Sequence, residues 1–273
     1  IASIEDAFHR FLGAARVGIV CIDDPRGQEV TDPRALRVAQ AVGATTVGEG
    51  PEADLQVHSV QVDRLQTTFG LRIGGREVGP VTVGTPGRHH ARNAAVALAA
   101  ALELGVGEAE AVAGLAAYRG VKRRFEVVGT AFGATVVDDY AHNPGKVRAL
   151  LGSAREAGWP RVVAVFQPHR YTRTRDQVAD FGTALALADV IAITDVYGAG
   201  EAPIPGVSGR LRVDAVLARR PWAEVAWTPT LDDAVAWARA SLRPDDLFLT
   251  VGAGDVWSLG PRLVAMDDGG VPQ

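Results

Sequence analysis

Along the first half of the chain the apolar positions change period several times. From Ile4 to Leu12 they recur at helical spacing, and from Val17 to Ile22 they form a short β-branched run that stops at Asp23-Asp24-Pro25. Asp32 followed by Pro33 offers an N-cap side chain and a first helical residue that needs no N–H, which predicts a helix to Val42. Leu55 to Val62, Thr67 to Ile73 and Glu77 to Val83 alternate, with polar or glycine-rich breaks such as Gly74-Gly75, and predict an antiparallel meander. Asn93 to Leu104 is almost wholly Ala, Leu and Val, so a helix there is expected to be covered on most sides. A second helix, Glu108 to Ala117, ends before Gly120.

The second half is more regular. Thr135–Val137, Val162–Phe166, Val190–Thr194, Val225–Trp227 and Leu247–Val251 are short apolar runs of the kind buried on both faces of a parallel sheet. Helical patterns lie between them. Asn143-Pro144 is an N-cap with Pro at the first helical position, and Thr174 with Gln177 reads as a capping box ahead of Val178, Phe181 and Leu185. Thr230 caps a third helix, with Asp232-Asp233 in its positive first turn. Alternation repeated this often predicts a doubly wound α/β domain. The basic run Lys122-Arg123-Arg124 separates the two patterns and sets the boundary near Phe125, giving residues 1–125 and 126–273 as the two domains.

Composition narrows the class. A chain of 273 residues has room for about two domains, and 47% apolar with 22% charged residues excludes disorder and coiled coil. A net charge of −4 gives no basic field, so nucleic acid is not expected and an anionic partner must be held by local Arg or Lys. The single cysteine, Cys21, excludes an intrachain disulfide framework and a Cys-based zinc cluster. Its apolar flanks place it in a strand core, and a reducing cytoplasm fits. No apolar run reaches the ~18–20 residues of a membrane span, and no signal peptide or anchor is read. Ile1 in place of Met predicts an internal start.

Ligands of open parallel sheets collect at the carboxyl ends of strands, so the residues there are the candidates. They are Asp138-Asp139-Tyr140-Ala141-His142-Asn143-Pro144, Gln167-Pro168-His169-Arg170-Tyr171-Thr172-Arg173-Thr174, Asp195-Val196-Tyr197-Gly198-Ala199-Gly200-Glu201 and Gly252-Ala253-Gly254-Asp255. Thr228-Pro229-Thr230, at the fourth strand, is plain. A connecting loop needs only a turn residue and a cap, so this stock of Asp, His, Arg and Tyr exceeds the structural requirement. Adjacent carboxylates alternate sides, which makes Asp139 the one to meet a ligand, as a ribose or metal acceptor. The alternative is that the pair only solvates a strand end. Arg170, Arg173 and Arg175 oppose a helix macrodipole unless a carboxylate or phosphate sits among them. Gly252 and Gly254 match part of a dinucleotide fingerprint whose third glycine is replaced at Trp257, and no GxxxxGK[ST] loop occurs. In the first half, Gly87-Arg88-His89-His90-Ala91-Arg92-Asn93 opens a helix with imidazoles and an amide, suited to a base or simply exposed. Lys122-Arg123-Arg124 is either a solvated run or a phosphate clamp.

These strings together resemble the Mur ligases. Asp-Asp-Tyr-Ala-His-x-Pro at 138–144 would also suit folylpolyglutamate synthetase, whereas the strings at 166–174 and 195–206 resemble the alanine-adding members; Gly252 to Asp255 and Pro86 to Asn93 extend the match. The resemblance implies the rear part of a central ATP-binding α/β domain followed by a Rossmann-like, doubly wound C-terminal domain that receives the amino acid. It implies an ATP- and Mg2+-dependent amide ligase of peptidoglycan precursor synthesis, joining L-alanine to UDP-N-acetylmuramate through an acyl phosphate. By motif, His89 and Asn93 would contact adenine, Arg124 the γ-phosphate and Asp139 the ribose, with Asn93 and Asp139 serving one nucleotide. His142, Arg170 and Arg173 would meet substrate carboxylates, with Tyr140, His169 and Tyr197 beside them. His90 and Asn143 depart from the family's frequent Asn and His. The family's P-loop and magnesium segment would lie before Ile1, so this chain alone is expected to be inactive. A non-catalytic binding module and a dinucleotide-dependent enzyme are the alternatives.

Overall fold

The computed structural model describes residues 2–24 and 29–268, and divides into two compact units, 1–119 and 120–273. The division falls ahead of the boundary expected at Phe125. The reason is local: the Arg123 and Phe125 backbones bond to residues of the second unit, so the basic run belongs there as a turn.

The first unit begins with α1 (Ala2–Gly13), β1 (Ile19–Cys21) and α2 (Pro33–Val42), whose Asp32 side chain accepts the Arg34 N–H as expected of a cap. A strand not expected from the sequence, β2 (Thr45–Gly48), pairs in parallel with β1 and with the start of β3 (Leu55–Asp63). β4 (Gln66–Ile73) and β5 (Arg76–Val83) complete the predicted meander, giving the order β1-β2-β3-β4-β5. α3 (Arg88–Glu103) and α4 (Glu108–Ala117) follow. Ala91, Ala94, Ala95, Leu98 and Ala99 of α3 form one buried stripe against Val57, Phe69, Leu71 and Val81. Asn93 and Ala97 are exposed, so the expectation of a helix covered on most sides is corrected: its opposite face is Ala-rich but solvated. Cys21 is also corrected. β1 is an edge strand, and the thiol is exposed rather than in the core.

The second unit contains β6 (Glu126–Ala131), β7 (Ala134–Asp139), α5 (Pro144–Glu156), β8 (Val162–Phe166), α6 (Tyr171–Asp176), α7 (Val178–Leu185), β9 (Val190–Ile193), α8 (Arg210–Arg219), β10 (Glu224–Trp227), α9 (Leu231–Ser241), β11 (Leu247–Val251) and α10 (Leu259–Asp268). All five predicted strands are present and parallel, in the order β10-β9-β8-β11-β7. β6 adds an antiparallel edge to β7, so the sheet is mixed. The central strands β8, β9 and β11 are buried on both faces. Val163, Val165, Ala192 and Phe248 pack with Ala234, Val235 and Ala238 of α9 and Leu259 and Leu263 of α10, whereas Phe166 meets Phe181 of α7 with ring centroids 5.2 Å apart. Asn143 and Thr230 cap their helices as predicted, the latter through a full capping box with Asp233. Thr174 does not. It lies inside the short α6, its hydroxyl donating to the Arg170 carbonyl, and the chain breaks at Gln177 before α7 begins.

Candidate active site

Strand order in the second unit determines which loops meet. β8, β9 and β10 step outward one after another, and β11 returns to lie between β8 and β7, so the loops after β7, β8, β9 and β11 emerge along one edge. Backbone bonds stitch them: Gly252 N donates to the Asp139 carbonyl, Gln167 N to that of Val251 and Tyr197 N to that of Pro168. The Gln167 side chain is buried and clamps the β11 loop, donating to Asp255 Oδ1 at 2.7 Å and accepting from Val256 N. Gly254 has to be glycine here, because a Cβ would run into the Gln167 amide oxygen and the Tyr197 ring.

The two strand-end aspartates face different partners. Asp138 accepts from Thr250 Oγ1 at 2.5 Å and from Arg123 Nε at 3.2 Å. Arg123 also donates to the carbonyls of Gly252 and Gly254, so its guanidinium is consumed in joining three segments. Asp139 accepts Phe125 N at 2.9 Å and Ala141 N at 2.8 Å, one on each oxygen. Burial holds both carboxyls above the usual carboxylate range, and the hydrogen bonds pull against it. Together they clamp a turn in which Arg123 and Phe125 have positive φ, 61° and 48°. The result is to leave Arg124 exposed, its guanidinium 5.5 Å from the centre of the Tyr140 ring.

His142 and His169 approach to 5.8 Å between ring centroids, Tyr140 meets His142 edge-on at 5.0 Å, and Tyr197 stacks on His169 at 5.9 Å. His142 Nδ1 lies 2.8 Å from the Tyr140 carbonyl. A carbonyl only accepts, so Nδ1 carries the proton and Nε2 presents a lone pair. Burial holds both imidazoles below their ordinary value, and the charge of Arg173 adds to that on each. His169 Nδ1 is buried with no hydrogen-bond partner among the described residues.

Arg173 donates to the His142 carbonyl at 3.2 Å, and Arg170 begins α6 with φ 69° and ψ 136°, its N–H on the Tyr197 carbonyl. Neither guanidinium forms an ion pair among the described residues. Glu201 is the near acid, but its carboxylate is engaged by the N–H and hydroxyl of Thr172, where it completes the start of α6. Sequence reading passed over that capping role because the partners are 29 positions apart. The sum is a surface of two arginines and two imidazoles with aromatic walls and no free carboxylate, which can hold an anion in bidentate fashion.

The first unit carries candidates of its own. His89 is half-buried, its ring 4.1 Å from that of His90, and burial followed by the charge of Arg92 holds its pKa down. Asn93 is exposed on α3. Beside them Arg92 pairs with Asp23 at 2.7 Å and with Glu49 at 2.9 Å, and Arg88 pairs with Glu49 at 3.1 Å. Among the described residues no group of three His, Cys, Asp or Glu side chains is placed to hold a metal ion, and no helix is long and apolar enough to cross a membrane.

Residues 123–254 match the model of the Mur ligase glutamate ligase domain. The chain is 42% identical over 252 residues to the UDP-N-acetylmuramate–L-alanine ligase of Anaeromyxobacter dehalogenans, covering 92% of this chain and 53% of that protein. It is 40% identical over 265 residues to the ligase of the same name from Streptomyces coelicolor, covering 96% and 56%. In fold it is similar to the crystal structure of UDP-N-acetylmuramate-alanine ligase MurC from Thermotoga maritima, with a TM-score of 0.78 at 24% identity, over 99% of this chain and 56% of that one. The chain thus spans about half the length of the curated relatives it matches. With its clustered strand-end loops and these likenesses, the chain belongs to the Mur ligase family.

Proposed function

We propose that this chain supplies the carboxylate-binding and amine-accepting part of an ATP-dependent ligase that joins L-alanine to UDP-N-acetylmuramate through an acyl phosphate, in the cytoplasm, during peptidoglycan precursor synthesis. The observation that carries the reading is the convergence of His142, His169, Arg170 and Arg173 on one sheet edge without an ion-paired acid. Arg170 and Arg173 hold a substrate carboxylate, each as a planar fork. His142, neutral because its pKa is depressed, offers Nε2 to the proton that an attacking ammonium must lose. Tyr140, His169 and Tyr197 flank the imidazole and keep it in place. Catalysis of this kind is positioning and charge neutralisation.

When bound, ATP supplies the phosphoryl group that activates the acid. Arg124 is the residue exposed for its γ-phosphate, and Asp139 retains lone pairs for a ribose hydroxyl beside the two N–H groups it already holds. His89 and Asn93 are the adenine candidates of the first unit. The described residues offer magnesium no ligand set of three His, Cys, Asp or Glu side chains. The test is a chimera in which this chain replaces the matching part of the Streptomyces coelicolor ligase. It should release phosphate only with UDP-N-acetylmuramate, L-alanine and MgATP together, whereas this chain alone, which has no phosphate-binding glycine loop, should turn over at least about a thousandfold more slowly. Calorimetry of UDP-N-acetylmuramate on this chain is the companion measurement. Turnover by the chain alone within about tenfold of the chimera, or equal turnover with another amino acid, would overturn the reading.

A further inference from the structure

Arg212 of α8 is among the largest wholly buried side chains of the described residues, with 1% of its surface exposed. Its guanidinium lies 4.3 Å over the Phe181 ring, and Nη2 donates to the Arg173 carbonyl at 3.1 Å. Nε and Nη1 have no acceptor, and no carboxylate pairs with it among the described residues. Burial brings its pKa down to about 10, so it stays cationic at neutral pH. A buried charge without a counter-ion is costly, and an apolar side chain of similar volume would fill the slot at less cost. Packing alone therefore does not account for an arginine at this position.

The elements around it are fixed. The N-terminus of α8 is pinned to the end of β9: Gly209 N donates to Asp195 Oδ1 at 3.1 Å, and a Cβ on Gly209 would collide with the Thr194 carbonyl oxygen. α7 and α8 touch so closely that a Cβ on Gly182 would meet the Ala215 carbonyl. Arg212 projects from this frame to one carbonyl, and that carbonyl belongs to the residue whose side chain reaches His142.

We infer that Arg212 is a positioning residue: by gripping the Arg173 carbonyl from the buried side, it sets the direction of the Arg173 side chain and with it the spacing of the anion cluster. The inference rests on reading that cluster as an anion site. Arg212 touches no substrate.

The experiment follows the His142 and His169 imidazoles of this 273-residue chain by NMR, with and without inorganic phosphate as the probe anion, in wild type, R212M, R212K and R173A. Burial, with the charge of Arg173 added to it, holds both titration midpoints down. R212M should therefore move both upward, as R173A does, and weaken phosphate by about tenfold. R212K, which keeps a donor and the charge, should stay near wild type, and R212M combined with R173A should shift no further than R173A alone. If R212M lowers the melting temperature but leaves both midpoints and phosphate affinity as in wild type, the inference is overturned. Should R212M fail to fold, Phe181→Leu, which unseats the guanidinium, decides: a smaller upward shift supports the inference and unmoved midpoints overturn it. Loss of UDP-N-acetylmuramate binding by the wild type with these shifts intact would overturn the functional reading and leave the positioning role standing.

Discussion

In the first unit the charged groups beyond β1 and β2 neutralise one another, Arg92 lying between Asp23 and Glu49 while Arg88 takes the second oxygen of Glu49. In the second unit the corresponding edge gathers Arg170, Arg173, His142 and His169, and the nearby acid is tied up in starting a helix. Both are charged clusters at the carboxyl ends of parallel strands, yet the first is closed on itself and the second is open. On the proposed reading, it is the unbalanced sign and not charge density alone that marks a ligand site.

The sharpest way to break this comparison is to remove the central cation of the closed network. Arg92→Ala leaves the nearly buried Asp23 carboxylate without its ion partner, and should cost the first unit about 3 kcal/mol, read as a lower denaturant midpoint. Arg173→Ala in the open cluster removes a charge with no ion pair to lose. It should leave the midpoint within about 0.5 kcal/mol of wild type and weaken phosphate about tenfold in calorimetry. Equal loss of stability in both variants would erase the distinction.

The smallest effect is in pH. His142 and His169 have folded pKa values below the unfolded value of 6.5, so the unfolded chain takes up their protons first. Their contribution to stability is therefore full above that value and declines as pH falls from it through the depressed folded values. Phosphate, by favouring the charged imidazoles, should reverse the decline and bind more tightly toward acid. A second unit whose acid unfolding ignores phosphate, measured by thermal melts with and without it, would count against an open anion site.

The parallel strands and their loops were legible because burial on both faces leaves an uninterrupted apolar signature, and because ligands of such sheets have one place to collect. β6 was not, since Gly129 with φ 156° breaks the register between Val127 and Gly129 and hides the alternation. β2 escaped for the opposite reason: Thr45 to Gly48 is too short to show a period. Cys21 was misplaced because apolar flanks report a strand and not whether that strand is at an edge. Thr174 and Gln177 had capping-box spacing, but Gln177 adopts a non-helical backbone and cuts the helix there. In the site, His142, His169, Arg170 and Arg173 could be read from position along the strands. The employment of Arg123, Arg212 and Glu201 could not, since each finds its partner across the fold through a contact no local pattern encodes.

Arg170 occupies a backbone conformation, φ 69° and ψ 136°, that glycine adopts freely and that side chains adopt at a cost of about 1–3 kcal/mol. Directed selection for heat resistance would therefore reward Gly at this position, and a consensus-free stability screen would rank it above the natural residue. The same exchange deletes one of the two guanidiniums from the open edge. Thermostabilised libraries of this chain should accordingly be counter-screened for ligand capture, because the most comfortable backbone at the start of α6 is the one that discards a guanidinium of the proposed anion site.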